Sequence, residues 1–349
     1  TVSLAGVRSV DDSWLAWIQS ATGETVRGFS AVPHGANNRL FRIDCESGKR
    51  FALKIYPKTD GDTRDRLSVE FAALSFLASR VPGIIPTALV CDKNLGVGLY
   101  EWIDGDKVES PSADDIDATL HFVARMKEFS SDDDAGLLGT ASEACFSFDD
   151  LQDQITNRYG KLLAVAATEQ ALENFLNEQF DPHFRGLSTA AFERLSGHPD
   201  LRSVDPRYRC LSASDFGFHN TLRRADGNLV FVDFEYFGWD DPVKLVCDFI
   251  LHPGMDISTA NKQQFWKGAR KIFISDPTFD ERFDLCFPFY ALRWCMILLN
   301  EYLPERWQRR QAAGTMDGLE QRKHQQLLKA RAWLIKSKAV QEWKPAKVT

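Results

Sequence analysis

The sequence has no run of about 20 apolar residues, the length that a helix needs to cross a membrane. Its longest apolar candidate, from Cys286 to Leu299, is interrupted by Arg293. The first twenty residues carry Asp11 and Asp12 and lack a basic start followed by an apolar stretch, so we expect no signal peptide. These absences predict a cytoplasmic protein with no membrane partner.

Cysteine is sparse and scattered, and no two cysteines form a Cys-x-x-Cys pair. Structural zinc sites and many redox motifs depend on such pairs. An odd, dispersed set of seven thiols instead favours reduced cysteines over a disulfide framework. The sequence therefore argues against a zinc site.

Positive charge is in deficit, because 42 Lys and Arg residues face 49 Asp and Glu residues and leave a net charge of −7. Nucleic acid is therefore not the expected partner, since binding its phosphates needs a positive surface. A small anionic substrate in one basic pocket is still compatible with this balance.

Three common enzyme motifs are also missing. There is no G-x-x-x-x-G-K-[ST] for a P-loop ATPase and no G-x-S-x-G for an α/β-hydrolase. Gly96 and Gly98 are not continued as G-x-G-x-x-G, so a dinucleotide-binding fold is not supported either.

The 349 residues that are present suffice for about two domains or one large two-lobed domain. Before about residue 105, short runs rich in β-branched and aromatic residues predict an antiparallel sheet interrupted by one helix at about 62–80. The runs are 26–32, 39–44, 50–56, 87–92 and 98–103. After Gly105 the pattern turns mostly helical, with helices expected at about 112–130, 147–180, 186–195, 258–273, 283–302 and 317–337.

The segment 211–242 carries the clearest chemical signal. Asp215 and Asn220 stand in D-x-x-x-x-N, and a turn and a β run follow before Asp233. Phosphoryl transfer uses such a set, with one Asp to orient the acceptor hydroxyl and an Asn and a second Asp on Mg²⁺. The alternative is that these loop residues only serve turns.

The N-terminal half supplies a complement. Lys54 lies within a β run, and Glu70 follows sixteen residues later on the expected helix, as a pair that holds a lysine against nucleotide phosphates requires. The stretch 34–43 could be a turn whose backbone N–H groups approach phosphate, with Gly35 as its single glycine. Taken alone, Lys54 would be a surface lysine and Glu70 a solvated helix charge.

This combination resembles the aminoglycoside phosphotransferase and choline kinase superfamily over about residues 25–255. Residues 232–242, VDFEYFGWDDP, are similar to the choline-kinase-type Asp-x-Glu-Tyr-x-Gly stretch, and residues 99–105, LYEWIDG, to the linker between lobes. The resemblance implies an α+β, protein-kinase-like, two-lobed fold. Its small antiparallel β-sheet N-lobe would be residues 1–104, with a hinge near 101–105. The larger, mainly helical C-lobe with the acceptor site would be residues 105–349.

The resemblance also implies roles for individual residues. Lys54 would contact the α- and β-phosphates of ATP and pair with Glu70, and backbone groups at Glu101 to Ile103 would bind adenine. Asp215 would be the catalytic base. The remaining roles are Mg²⁺ binding for Asn220 and Asp233, and support of metal or substrate for Glu235.

Two departures from the family pattern stand out. The family's His-Gly-Asp or His-Asn-Asp is Ala213-Ser214-Asp215 here, so the histidine that braces the catalytic loop is missing. The usual Asp shortly after Asp241-Pro242 is also missing, with Asp248 one turn later as a candidate replacement.

A second register competes for the catalytic base. Residues 215–217 spell Asp-Phe-Gly, and His198-Pro199-Asp200 lies 15 residues before Asp215 like a catalytic loop. In that register the expected Asn is Asp205, whereas the first register provides Asn220 and an Asp after a β run. We therefore favour Asp215 as the base.

We expect an ATP- and Mg²⁺-dependent kinase that phosphorylates a hydroxyl of a small molecule. A sugar or amino-sugar is the first expectation, and an amino-alcohol such as choline or ethanolamine is the second. The alternative, motivated by Ala213-Ser214, is a nucleotide-binding pseudokinase. Arg293 would either pair with a buried acid or bind an anionic substrate. The sequence does not specify the oligomeric state.

Overall fold

The computed structural model describes residues 12–32, 39–56, 64–306 and 318–338. The predicted turn around Gly35 lies outside them. Among the described residues, no helix is both long enough and apolar enough to cross a membrane. All seven cysteines are described and none forms a disulfide, as the cysteine pattern predicts.

Five strands form an antiparallel sheet in the order β1-β2-β3-β5-β4. They are β1 Val26–Val32, β2 Arg39–Cys45, β3 Arg50–Ile55, β4 Ala88–Asp92 and β5 Val97–Glu101. Alternate residues of β2, such as Phe41 and Ile43, are buried and pack with Leu53, Leu99 and Ile18 in one hydrophobic core. Each predicted β run is therefore a strand of this sheet.

Helix α2, Arg66–Leu77, lies between β3 and β4 in the chain and carries Glu70. The carboxylate of Asp65 accepts a hydrogen bond from the Ser68 N–H at 3.1 Å and caps the helix start. Leu67, Glu70 and Leu74 are spaced three and four residues apart, so they share one buried face. An acidic side chain is thus buried among apolar ones.

Shorter strands frame the segment that carries the chemical signal. They are β6 Asp106–Lys107, β7 Cys210–Ser212, β8 Thr221–Arg223, β9 Leu229–Phe231 and β10 Gly238–Asp240. Strands β6, β8 and β9 form a three-stranded antiparallel sheet with Thr221 opposite Phe231. This register holds Asn220 and Asp233 at neighbouring strand ends, as the motif requires.

The remaining helices lie mostly in the second half of the chain. Besides an N-terminal α1, Asp12–Thr22, they are α3 Ala113–Phe129, α4 Phe148–Ala166, α5 Gln170–Asn174, α6 Asp181–Gly197, α7 Pro242–Leu251, α8 Thr259–Ile272, α9 Phe279–Leu298 and α10 Leu319–Lys338. The mixture of an antiparallel sheet and a helical region confirms the predicted α+β class.

The helix predicted over 147–180 is wrong as one continuous element. Helix α4 ends at Ala166, and α5 leads through a π-helical turn, Phe175–Phe180, into α6. Pro182 in the first turn of α6 lacks an N–H, and a widened turn before it accommodates such a residue. Helices α1 and α7 were not predicted. All ten residues of α7 are buried, including Lys244 and Asp248, which pair with each other one turn apart.

The chain divides into two compact units, each built from several segments. The sheet unit comprises Thr1–Val108, Asp134–Ser142 and Ala213–Gly238, and the helical unit comprises Glu109–Asp133, Glu143–Ser212 and Trp239–Thr349. The division of the chain near residue 104 into two lobes stays a prediction.

Candidate active site

Lys54 is the centre of an ionic cluster inside the sheet unit. It lies on β3, paired with Leu40 of β2 and Gly98 of β5. Its Nζ donates to Glu70 Oε2 at 2.7 Å and to Asp233 Oδ1 at 2.6 Å. The third carboxylate, Glu235, lies 3.9 Å away. Lys54 therefore points to the segment that carries the chemical signal and is not a surface lysine.

The charge on Lys54 follows from these neighbours. Burial alone would lower its pKa, but the carboxylates of Asp233, Glu70 and Glu235 outweigh burial and raise the pKa above the ordinary value. The side chain is therefore a permanent cation, as a ligand for phosphate oxygens must be.

Glu70 is held by neutral donors as well as by Lys54. Its carboxylate accepts hydrogen bonds from the hydroxyl of Tyr56 and, at 3.2 Å, from the backbone N–H of Phe234. Because the single Tyr56 hydrogen goes to Glu70, the Tyr100 hydroxyl donates to Tyr56 across 2.8 Å. Glu70 is therefore a fixed anchor for Lys54. The alternative interpretation, in which Glu70 is a solvent-exposed charge on a helix, is excluded.

Asp233 follows β9 with a φ of 68°, in the left-handed region that Asp and Asn tolerate better than most residues. The neighbouring Val232 N–H donates to the carbonyl of Asn220 at 2.9 Å and ties the Asp233 segment to the loop of Asp215 and Asn220. About a third of the Asp233 side chain, 34%, is exposed. Asp233 therefore accepts from Lys54 while part of its side chain stays exposed.

The loop before Asp215 is held by a tight turn. The Asp215 N–H donates to the carbonyl of Ala213 at 2.8 Å across Ser214, whose φ is 64°, as in a γ-turn. The Ser214 hydroxyl lies 3.3 Å from the carbonyl of Ser142, and the Ser142 N–H donates to the carbonyl of Tyr236 at 3.0 Å. Ser142 thus joins the loop before Asp215 to the segment that carries Tyr236. The loop before Asp215 is the one that lacks the histidine expected from the family pattern.

His219 is a candidate functional residue that the sequence reasoning missed. It lies on a 3₁₀ turn, Phe218–Asn220, and its Nε2 is 3.0 Å from Asp215 Oδ1. A carboxylate can only accept, so Nε2 donates to it. The sequence signal that could have revealed it is its position, four residues after Asp215 and directly before Asn220. This spacing matches no general motif of catalytic residues.

Asn220 is oriented by the same loop. Its Nδ2 donates to the carbonyl of Asp215 at 2.9 Å and approaches Asp215 Oδ2 at 3.4 Å. The amide oxygen Oδ1 therefore faces the other way, and it makes no hydrogen bond within the described part of the chain. This orientation leaves Oδ1 as the atom that can bind a cation.

The acids around Lys54 fit a hard cation. One carboxylate oxygen from each of Glu70, Asp233 and Glu235 lies within 4.8 Å of the other two. Carboxylate and amide oxygens are the ligands that Mg²⁺ prefers. Asp233, with its exposed face, and Asn220, with its amide oxygen, have the chemistry of the predicted Mg²⁺ ligands.

Glu101 and Ile103 lie on the segment that leaves β5. The Glu101 N–H donates to the carbonyl of Thr87 at 2.8 Å, and its carboxylate accepts from the Thr87 N–H and from Arg224. Ile103 is buried. An adenine contact through their backbone groups stays a prediction, as does the role of Gly35.

The competing register lies in the helical unit. Asp200 is exposed on a 3₁₀ turn, Pro199–Leu201. Asp205 caps the next turn and pairs with Arg207 at 2.7 Å, and these hydrogen bonds lower the pKa of Asp205 to about 2. Asp205 caps a local turn and Asp200 is exposed on another, whereas Asp215 shares the sheet unit with Lys54 and Asp233.

Arg293 forms a buried pair in the helical unit. Its Nη1 lies 3.2 Å from Asp248 Oδ2, and Asp248 also accepts from Trp294 Nε1 at 2.8 Å. Lys244 is a further partner of Asp248 at 3.3 Å. Of the two expectations for Arg293, the geometry matches the structural pair.

The model of the phosphotransferase enzyme family matches residues 28–252 of this chain. A search of curated proteins finds no match. The sequence-based family resemblance and the expected enzyme class, a phosphotransferase, are confirmed by the family match.

Solved structures share the fold at low sequence identity. The gentamicin complex of APH(2")-IIa has a TM-score of 0.60 at 15% identity, over 94% of this chain and 97% of the other. Choline kinase LicA from Streptococcus pneumoniae has a TM-score of 0.58 at 15% identity, over 93% and 98%. Spectinomycin phosphotransferase APH(9)-Ia, in complex with ADP and spectinomycin, has a TM-score of 0.57 at 12% identity, over 94% and 95%. These likenesses confirm the predicted fold class.

Proposed function

Because this chain belongs to the phosphotransferase enzyme family, we propose that it transfers the terminal phosphoryl group of ATP to a hydroxyl of a small molecule. The observation that carries the proposal is the Lys54 cluster with Glu70 and Asp233. One backbone hydrogen bond links that cluster to the loop of Asp215 and Asn220. The five residues supply a phosphate ligand, its anchor, two cation ligands and a base.

In the proposed reaction the acceptor oxygen forms a bond to the γ-phosphorus while the bond from that phosphorus to the β,γ-bridging oxygen breaks. The proton of the acceptor hydroxyl passes to the carboxylate of Asp215, and ADP leaves with the bridging oxygen. A third of the Asp215 side chain, 34%, is exposed, so a hydroxyl can approach it. His219 fixes Oδ1 and thereby orients the carboxylate.

Lys54 would bind the α- and β-phosphates, and Glu70 would keep it in place. Because Lys54 also donates to Asp233, nucleotide binding exchanges this bond for bonds to phosphate oxygens. Asn220 Oδ1 and the Asp233 carboxylate would hold Mg²⁺, with Glu235 as support. When bound, Mg²⁺ supplies neutralisation of phosphate charge.

The acceptor that we propose first is a sugar or amino-sugar. Support comes from structures of the same fold that were solved with gentamicin and with spectinomycin. An amino-alcohol such as choline is second, since a choline kinase also shares the fold.

One departure favours a second candidate, a pseudokinase that binds nucleotide without turnover. Ala213-Ser214 stands directly before Asp215, where the family pattern has His-Gly or His-Asn. Against it stand the bonds from Ser214 to Ser142 and from His219 to Asp215, which brace the loop by other means.

The test is ADP release from Mg²⁺–ATP across a panel of sugars, aminoglycosides, choline and ethanolamine. Asp215→Asn is the test variant, and Asp200→Asn, at the base of the competing register, is its matched control. Acceptor-dependent ADP release that is lost in Asp215→Asn and kept in Asp200→Asn supports the proposal. ATP binding without release for any acceptor favours the pseudokinase, and a chain that binds no ATP contradicts both.

A further inference from the structure

A basic cavity lies within the helical unit, and the proposed reaction does not use it. Its volume is about 250 Å³. Six of its lining residues matter here: Lys127, Ser131, Arg207, Tyr208, Arg209 and Phe273. Three of these six are cations, in a chain whose net charge is −7.

Lys127 is the first cation of the basic cavity. It stands in the last turn of α3, and its ammonium donates to the carbonyl of Ile272 and, at 3.3 Å, to the hydroxyl of Ser275. Both partners are neutral, so they hold the ammonium in position without cancelling its charge. An ammonium has three N–H donors, and these two bonds leave one for a ligand.

Arg209 is the second cation of the basic cavity. Its guanidinium lies over the ring of Phe146, 4.0 Å from the centroid. Stacking of this kind fixes the plane of a guanidinium and leaves its N–H edge free. Within the residues that the structure describes, the Arg209 side chain has neither an ion pair nor a hydrogen bond, and its Nε is buried.

The other charges at the basic cavity are already matched. Asp276, its one acidic lining residue, accepts from Arg282 at 2.6 Å and from the N–H and hydroxyl of Thr278. Arg207 pairs with Asp205 at 2.7 Å. Among the described residues, Lys127 and Arg209 therefore form no ion pair with a carboxylate, although Asp205 attracts Arg209 at longer range.

We propose that the basic cavity binds a small organic anion, a metabolite whose phosphate or carboxylate group bridges Lys127 and Arg209. Two fixed cations that share one cavity match the oxygens of such a group. Phe273 and Tyr208 provide aromatic surface for the body of the ligand. The hydroxyl of Ser131 is a further donor for an oxygen of the anion.

The test is isothermal titration with phenyl phosphate and, separately, with benzoate at constant ionic strength. Arg209→Gln removes the charge and keeps much of the side chain. Arg202→Gln is the matched control, because Arg202 is an exposed arginine that pairs with Asp149 and does not line the cavity. Lys54→Met removes the phosphate ligand of the candidate active site.

We expect at least one probe to bind, with an association constant that falls at least tenfold in Arg209→Gln and is unchanged in Arg202→Gln and Lys54→Met. The probe that binds more tightly identifies phosphate or carboxylate as the preferred group. Equal binding by Arg209→Gln and the unsubstituted chain overturns the proposal, as does binding that is lost in Lys54→Met or absent for both probes. Lys127→Met must show the same loss, and circular dichroism checks that each variant is folded.

Discussion

Each of the two units contains a buried lysine that is paired with acids, and the two clusters differ in how far they are enclosed. In the sheet unit Lys54 donates to Glu70 and Asp233, and 34% of the Asp233 side chain is exposed. In the helical unit Lys244 lies 2.8 Å from Asp240 and 3.3 Å from Asp248, and their exposed fractions are 1%, 0% and 7%. The first cluster leaves one carboxylate partly exposed, and the second is enclosed.

The closed cluster continues as a chain of alternating charges. Beyond Asp248 lies Arg293, then Glu143 at 3.8 Å, and Arg158 pairs with Glu143. Each inner member has an opposite charge on both sides, so the desolvation of buried ions is offset within the fold. The acids that contact the two lysines therefore differ in enclosure: Asp233 beside Lys54 keeps an exposed face, whereas Asp240 and Asp248 beside Lys244 are buried.

The largest expected effect is on activity in the sheet unit. Asp215→Asn removes the proposed base while its neighbours stay in place, so we expect kcat to fall by about 10²- to 10⁴-fold. Thermal unfolding should stay close to that of the unsubstituted chain, because the site is partly exposed. Steady-state kinetics and a melting curve on the same sample check both, and a variant with unchanged kcat contradicts the assignment.

In the helical unit, we expect substitution of Asp240 in the Lys244 cluster to lower the free energy of unfolding. Asp240→Asn leaves Lys244 buried beside a neutral amide, and it weakens the bonds from the N–H groups of Cys145 and Asp241. Breaking a buried pair in this way costs about 3–5 kcal/mol of unfolding free energy. Denaturant titration measures it. A loss below 1 kcal/mol, roughly the value of an exposed pair, would show that the cluster is not the closed structural element described.

A smaller effect on kcat is expected from substitution of His219, which contacts Asp215. A hydrogen bond to a charged group contributes about 1.5–3 kcal/mol, so His219→Leu should lower kcat about tenfold or more. His219→Gln can still donate to Asp215 and should recover part of the rate. The KM for Mg²⁺–ATP should not move in either variant. Equal kcat in the leucine and glutamine variants would mean that the bond does not orient Asp215.

The smallest effect concerns an exposed pair, which belongs to neither cluster. Arg202 lies 2.7 Å from Asp149, with about half of each side chain exposed. Solvent screens such a pair, so Arg202→Gln should change the unfolding free energy by less than about 1 kcal/mol. Denaturant titration beside Asp240→Asn tests whether enclosure, and not pairing alone, determines the stability effect.

Local signals explain what the sequence could predict. The alternation of the β runs and the spacing of Leu67 and Leu74 predict the sheet and α2, and these elements bring Lys54 and Glu70 together. The sequence indicates Asp233 as a candidate because it comes directly after a β run. In each case the residues that carry the signal are neighbours in the chain.

What could not be predicted depends on contacts between distant residues. Tyr100 is linked to Glu70 through the hydroxyl of Tyr56, and Tyr56 and Tyr100 are 44 residues apart in the chain. Ser142 and Ser214, which are also in contact, are 72 residues apart. A pattern within one segment contains no information about such contacts. His219 was missed for a different reason, because its spacing from Asp215 matches no general template.

The most direct test of the account compares Asp233→Asn with Asp240→Asn for Mg²⁺-dependent ATP binding and for thermal unfolding. Asparagine tolerates the left-handed backbone at position 233, so this substitution changes charge with little strain. We predict that Asp233→Asn loses Mg²⁺-dependent ATP binding and keeps its melting temperature, whereas Asp240→Asn melts earlier and, below its melting temperature, still binds Mg²⁺–ATP. An Asp233→Asn chain that binds Mg²⁺–ATP as tightly as the unsubstituted protein would contradict the account.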